Sequence, residues 1–222
     1  MIDLHTHSLL SDGCLLPSEL IRRAEAKGLK AIAITDHVDF SNIDFVLPRI
    51  VKTCKALNKY WKIKSIPGVE ITHVPPESIK LFVKFARRNG AKIIIGHGET
   101  VSEPVLKGTN KAFIEAGVDI LAHPGMISEK DIRLARKKGV YLEITTRKSH
   151  KKPNKRLIRL ALKNKANLVL NTDTHSPEDI LGTKERVEFL TSLGVRNKDI
   201  TRIQRNSYNI IRKACAGAFR RS

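Results

Sequence analysis

Histidines and acidic residues recur just beyond short apolar runs in this chain. Six of its eight histidines belong to this pattern, together with three carboxylates. Imidazole and carboxylate donors together suit Zn, Mn or Fe, and no thiolate is needed. The nine candidate ligands are His5, His7, Asp12, His37, Glu70, His97, His123, Asp173 and His175. Because one tetrahedral ion needs only four ligands, the set predicts two or three divalent metal ions.

The spacing within two of these groups favours convergence on one centre. Side chains two residues apart in extended backbone point the same way. His5 with His7, and Asp173 with His175, can therefore each face a common point. A lone histidine after a strand is more often structural than a ligand. That explanation does not account for six histidines at equivalent places on different strands.

Short β-branched runs alternate with longer amphipathic stretches, and these elements must position the candidate ligands. Such alternation is typical of a parallel sheet with helical crossovers, and near-continuous apolar runs suit strands buried on both faces. The predicted strands are 2–5, 31–35, 63–71, 92–95, 119–122, 140–144 and 167–170. Seven strands favour a closed or nearly closed (βα) barrel, with an open doubly wound sheet as the alternative. In a barrel, the candidate ligands would gather at the C-terminal face.

Helices are predicted between and after these strands. Pro17 suits a first helical turn, and Gly28 suits the C-terminal cap of the same helix. The other predicted helices are 77–88, 110–116, 129–138, 154–165, 184–193 and 199–215. No linker rich in Pro, Gly or Ser divides the chain. We therefore predict a single domain over residues 1–222, in which 196–222 is a basic C-terminal helical extension.

Composition and charge limit the class of protein and its partners. Hydrophobic residues make up 41% of the chain, which predicts a packed globular domain. The three widely spaced cysteines imply no disulfide framework, and the absence of a leader or long apolar run predicts a cytoplasmic protein without a membrane span. A formal charge of +19 attracts phosphate groups. The predicted partner is a phosphorylated small molecule, with nucleic acid as the alternative; the oligomeric state stays open.

The candidate ligands lie in motifs that resemble the PHP family, named for polymerase and histidinol phosphatase. The segments 3–8 and 11–13 look like its first motif, 35–37 like its second, and the later candidates like the remaining ones. The segments 96–100, 108–110 and 122–125 look like an archaeal histidinol-phosphatase-like subgroup. The resemblance covers nearly the whole chain. It implies an α/β fold with a single distorted (βα)7 TIM-like barrel.

The same resemblance implies a trinuclear metal centre with a definite division of the ligands. One ion would be held by His5, His7, Glu70 and Asp173. A second would be held by Glu70, His97 and His123, so that Glu70 bridges the two. The third would be held by Asp12, His37 and His175. Some members of the family have histidine at the position of Asp12, and aspartate is common there too.

Further residues are candidates for roles around the ions. Glu70 and Asp173 are predicted to act in catalysis as metal-bound carboxylates, and Asp36 as a catalytic-site residue that orients an imidazole. Arg147, Lys148 and His150 follow the sixth strand and are predicted to bind the substrate phosphate, and Arg147 is also predicted to be a catalytic residue. For Arg147 and Lys148 the alternative is a solvated basic loop, and for His150 an exposed loop histidine.

Three functions fit these observations. The first is a metal-dependent phosphoesterase that hydrolyses phosphate monoesters of small molecules. The second is a phosphodiesterase or nuclease that uses the same ions, which the positive charge favours. The third is a non-catalytic RNA-binding scaffold that resembles the barrel subunit of ribonuclease P. The full set of ligands argues against the scaffold, because that subunit lacks the complete set.

Overall fold

A nearly closed barrel of parallel strands forms the framework of the protein. We describe residues 1–215 from a computed structural model. The strands are β1 (Ile2–Asp3), β2 (Ala31–Ile34), β3 (His37–Val38), β4 (Lys64–Ile71), β5 (Ile93–His97), β6 (Ile120–Ala122), β7 (Tyr141–Thr145) and β8 (Leu168–Asn171). Their order is β1-β2-β4-β5-β6-β7-β8, and β3 continues the line of β2 along β4. The predicted TIM-like barrel, with seven strand positions around its circumference, is therefore confirmed.

The barrel closes near the ends of its first and last strands. Thr6 and Thr174 form a parallel bridge, the amide of His7 donates to the carbonyl of Thr174 at 2.8 Å, and that of Asp173 donates to the carbonyl of His5 at 3.0 Å. These bonds bring the segments around His5 and Asp173 side by side.

Helices cover the outside of the barrel. They are α1 (Pro17–Ala26), α2 (Ile43–Leu57), α3 (Ile79–Arg88), α4 (Thr109–Ala116), α5 (Glu129–Lys138), α6 (Asn154–Lys163), α7 (Thr183–Ser192) and α8 (Asn197–Cys215). Sequence reasoning did not predict α2. Its buried residues Ile43, Val46, Leu47 and Ile50 do follow helical spacing, but Pro48 interrupts the pattern within the helix.

Two apolar layers hold the fold together. One packs the helices against the outside of the sheet. The other fills the barrel interior with small and branched side chains, including Leu4, Ala33, Ile66 and Val169. Beyond this inner layer, the C-terminal end of the barrel is buried but polar.

The described part of the predicted basic C-terminal extension is the helix α8, which packs against the barrel. Ile210 of α8 packs into the inner apolar layer, and Asn206 donates to the carbonyl of Leu168 at 2.8 Å. Arg202, Arg205 and Arg212 do face solvent. The remaining residues of the predicted extension, 216–222, lie outside the described residues. Within residues 1–215, each helix is too short or too polar to cross a membrane.

Candidate metal centre

The nine sequence-predicted ligands come together at the C-terminal end of the barrel. Their donor atoms form overlapping groups in which all atoms lie within 4.8 Å of one another. The groups are His5-His7-Glu70, His5-His123-Asp173, Glu70-His97-His123 and His7-Asp12-His37-His175. This grouping resembles the division that the family implies, although occupation by ions stays a prediction.

Glu70 lies at the centre of the arrangement. It occupies the end of β4, and its register partner is His37 on β3. Its carboxylate oxygens lie 3.2 Å from Nε2 of His5 and 3.4 Å from Nε2 of His123. The neighbouring carboxylate of Asp173 lies 3.2 Å from Nε2 of His7. The side chains of His5, His7 and Glu70 are fully buried, so solvent cannot satisfy their polar atoms.

The buried donor atoms at this centre fit a cation. Nε2 of His5, both ring nitrogens of His7 and both carboxylate oxygens of Glu70 lack a hydrogen-bond partner in the described structure, despite distances of 3 to 4 Å. Buried polar atoms are normally hydrogen-bonded or bound to metal. Since lone pairs from several side chains converge without hydrogen-bond geometry, divalent ions match this donor set.

Sequence reasoning missed Glu143, which orients His5. The carboxylate of this β7 residue lies 2.8 Å from Nδ1 of His5 and accepts a hydrogen bond from the side-chain amide of Asn171 at 2.9 Å. The contact fixes the ring so that Nε2 faces Glu70. Partners of this kind fix the tautomer and raise the basicity of a metal-binding imidazole. An acidic residue inside the apolar run of β7 was the available signal.

Three imidazoles, those of His7, His37 and His175, surround Asp12. Nε2 of His175 lies 3.0 Å from Oδ2 of Asp12, and Nε2 of His37 lies 3.7 Å from Oδ1. The ring of His7 stacks between the other two rings, with centroids 4.3 Å apart in both cases. The Asp12 side chain is 54% exposed, so this group faces the solvent.

The expected role of Asp36 was wrong. Its buried carboxylate accepts hydrogen bonds from the amide and hydroxyl of Ser8 and from the hydroxyl of Ser11. Among the described residues it has no hydrogen bond to an imidazole. Asp36 therefore positions the loop that carries Asp12, because the loop turns back over the end of β2.

Charge is distributed so that ionised carboxylates lie among the imidazoles. Burial raises the pKa of the Glu70 carboxyl, but His5 and His37 together outweigh burial and hold it well below its ordinary value. Burial also raises the pKa of Asp173, and His5 and His7 likewise lower it well below the ordinary value. Burial and the neighbouring His37 lower the pKa of His7 to about 3, which keeps that ring neutral. Ionised carboxylates and a neutral His7 are forms that bind metals. Burial lowers the pKa values of His5 and His37, but neighbouring carboxylates raise them overall, so these two rings must release a proton when a metal binds.

Two residues of the centre adopt backbone conformations that are unusual for their types. Asp173 has φ 56° and His123 has φ 26°. Such residues persist where the surrounding structure holds them, and they often lie at functional sites. The side chain of His123 lies beside Glu70 and that of Asp173 beside His7.

A polar cavity of about 270 Å³ opens over these donors. Arg147 and His150 line it, whereas Lys148 is exposed and does not, and phosphate binding by these three residues stays a prediction. His150 is buried, so the alternative of an exposed loop histidine is wrong. Its Nδ1 lies 2.7 Å from the hydroxyl oxygens of Thr100 and Ser102. The guanidinium of Arg147 lies 3.4 Å from Asp179.

Glu103 also lines the cavity, and no sequence signal identified it. It lies in the loop between β5 and α4, where its carboxylate contacts His73, His97 and His150. Hydrogen bonding from His97 lowers the pKa of Glu103 to about 2, against the smaller opposing effect of burial. The position of such a loop residue depends on the conformation of the whole segment.

Known proteins similar to this chain share its fold and motifs. A protein of Methanocaldococcus jannaschii named MJ1295, without a characterised function, is 42% identical over 200 residues, which cover 89% of this chain and 92% of that one. A probable phosphatase of Acetivibrio thermocellus is 24% identical, with 79% of each chain covered. The 5'-3' exoribonuclease Rnm of Escherichia coli is 42% identical over 72 residues, which cover 32% of this chain but only 22% of the exoribonuclease.

A solved structure extends the likeness to the whole barrel. A chain of archaeal ribonuclease P with mature tRNA superimposes with a TM-score of 0.74 at 20% identity, covering 97% of this chain and 92% of that one. This likeness concerns the fold alone. The PHP domain family matches residues 3–114, which hold six of the nine candidate ligands. With half of the chain matched and a relative similar over nearly its full length, the chain belongs to the PHP family.

Proposed function

We propose that this protein is a phosphomonoesterase that hydrolyses phosphorylated small molecules. Its family makes it a metal-dependent hydrolase of phosphoric ester bonds. One observation carries the assignment: buried imidazole and carboxylate donors without hydrogen-bond partners converge at the base of a polar cavity. The cavity is small, which suits a phosphate group with a compact leaving group rather than a folded nucleic acid.

The residues of the chain would divide the work as follows. The nine predicted ligands would hold two or three divalent ions. Bound ions of this kind supply Lewis acidity that activates water and offsets the charge of the phosphoryl group. Glu143 fixes the ring of His5, and Asp36 holds the loop of Asp12, so that both donors stay in place.

Two side chains at the cavity wall are suited to bind the phosphate. The guanidinium of Arg147 makes one long side-chain hydrogen bond, in which Nη1 donates to Asp179 at 3.4 Å. Its remaining N–H groups are therefore available for a two-pronged contact with phosphate oxygens. His150 is held through Nδ1 by two hydroxyl groups, so its Nε2, which lies 3.4 Å from Oε1 of Glu103, can carry a proton and donate it to an oxygen of the substrate.

A substrate screen tests this proposal. Protein loaded with Mn²⁺ or Zn²⁺ should release phosphate from small monoesters, and His5→Ala should abolish the release. Arg205→Ala, which changes an exposed side chain of α8, serves as the matched control and should keep full activity. No turnover of any monoester by folded, metal-loaded protein would contradict the proposal.

An exonuclease is the second candidate, because the charge of +19 and the similarity to the exoribonuclease both favour it. It predicts cleavage of single-stranded RNA, and binding that weakens with salt as counterions are released. Undetectable RNA binding at low salt would dismiss this candidate. RNA binding without metal or turnover would instead favour a scaffold, for which the likeness to the ribonuclease P chain supports only the fold.

A further inference from the structure

A second group of donor atoms lies beside the metal centre but outside the nine predicted ligands. It is built around Glu103. Oε2 of Glu103 lies 3.2 Å from Nε2 of His73 and 3.2 Å from Nε2 of His97, while Oε1 lies 3.4 Å from Nε2 of His150. Three separate loops and the end of β5 therefore bring three imidazoles to one carboxylate.

The spacing of these atoms matches the requirements of a metal ion. A tetrahedral zinc ion with bonds of about 2.0–2.1 Å separates its ligand atoms by roughly 3.3–3.4 Å. The observed separations of 3.2 Å for two nitrogen–oxygen pairs are close to that value, and the pair of His73 and Glu103 also has the geometry of a hydrogen bond. His73, His97 and Glu103 each offer one atom, and the three atoms lie within 4.8 Å of one another.

We propose that His73, His97 and Glu103 form an outer cation site at the wall of the cavity, suited to Zn²⁺ or a similar borderline ion. Two imidazoles and one carboxylate are a donor set that zinc accepts. The side chains of His73 and Glu103 are 46% and 33% exposed, so an ion there would keep coordination positions open to solvent or to an anionic ligand.

The backbone of His73 is unusual. The residue lies in the loop between β4 and α3 and has φ 51°, a left-handed conformation that few non-glycine residues adopt. His97 belongs to both groups, since it also lies beside Glu70 and His123. Its Nε2 faces Glu103 while its buried Nδ1 has no hydrogen-bond partner in the described structure, so one ring nitrogen is available to each group. The outer site therefore adjoins the main centre, and an ion held there would place positive charge at the cavity that receives the phosphate.

Counting bound zinc in the full chain tests the outer site without reference to activity. Metal-free protein would be equilibrated with Zn²⁺ alone and its bound ions counted by native mass spectrometry. Glu103→Gln removes the charge, and His73→Asn removes the imidazole while tolerating the left-handed backbone. Each variant should bind one ion fewer than the wild type. Glu115→Gln, an exposed residue of α4, is the matched control and should bind the full number.

The outcomes separate this inference from the proposed function. Equal counts in the wild type and both variants would overturn the outer site and identify the Glu103 group as a hydrogen-bonded cluster, with the main centre unaffected. A wild type without bound zinc would overturn the outer site, while the proposed function would then be judged by the substrate screen with Mn²⁺. Loss of one ion in both variants supports the outer site whether or not any monoester is hydrolysed. His73→Asn gives an independent readout if Glu103→Gln disturbs its loop.

Discussion

Glu143 decides which nitrogen of His5 faces the ligand cluster. Its carboxylate lies 2.8 Å from Nδ1 and is itself held by Asn171, whose side-chain oxygen accepts from the amide of Leu4 at 3.0 Å. Burial lowers the pKa of His5, but Glu143 and Glu70 together raise it well above the ordinary value. The carboxylates thus stabilise a proton on this ring, and a bound cation would supply the positive charge in place of that proton.

Replacing Glu143 with glutamine should weaken metal binding. Glu143→Gln keeps the size of the side chain but removes the charge that orients His5, and partners of this kind contribute about 10- to 100-fold to metal affinity. Competition of the variant with a chelator would measure the loss. Glu115→Gln removes an exposed charge of the same kind and should leave affinity unchanged. Unaltered affinity of Glu143→Gln would show that the contact does not orient a ligand.

The loop after β1 illustrates how an element places a ligand. Gly13 approaches the backbone so closely that an added Cβ would lie 2.3 Å from the carbonyl oxygen of His7. Gly13→Ala must therefore displace either the loop or the strand end. We expect lower metal occupancy of the Asp12 group and a loss of activity of roughly 10- to 100-fold, measured by metal counting and phosphate release. Retention of both would mean that the loop tolerates the shift. Gly28→Ala would be a poor control because of its positive φ, so Ala26→Gly, at an exposed helix end, is preferable.

A buried ion pair joins the first strand to the covering helices. Arg186 of α7 pairs with Asp3 of β1, and its guanidinium also donates to the carbonyls of Ile2 and Leu170 at 3.3 and 3.4 Å. Arg186→Ala would leave Asp3 buried without its partner. Breaking such a pair costs about 3–5 kcal/mol, so the free energy of unfolding should fall by that amount.

Urea unfolding of metal-free protein at neutral pH would measure this effect. Arg205→Ala, at an exposed position of α8, should change the free energy of unfolding by less than about 0.5 kcal/mol. If Arg186→Ala changed the free energy of unfolding as little as the Arg205→Ala control does, the structural role of the pair would be contradicted.

Periodicity explains which elements the sequence could predict. Apolar runs predicted the strands, and the polar residues after them predicted the ligand-bearing end, because strand ends of a barrel meet on one face. Pro48 masked α2, although its buried residues follow helical spacing. The burial of His150 and the position of Glu103 depend on contacts between loops, such as that of His150 with Thr100, which no local pattern encodes. Glu143 was predictable in principle, since a charge inside a buried strand requires a partner.

At the scale of the whole molecule, the barrel separates stability from chemistry. The inner apolar layer, with Ile210 of α8 packed against it, fills the barrel, while the opposite end holds the buried polar groups. The overall charge of +19 acts at long range and attracts anions to the protein. The cavity at the polar end of the barrel, lined by imidazoles and carboxylates, is where such an anion would bind.

Anomalous diffraction from crystals soaked in Mn²⁺ or Zn²⁺ tests the central claim most directly. The account predicts at least two anomalous peaks among the nine ligands, with one within about 2.0–2.2 Å of Nε2 of His5 and an oxygen of Glu70. Crystals of His5→Ala should lose that peak. A soaked wild-type crystal with ordered side chains and no anomalous peak among these residues would contradict the assignment of a metal centre.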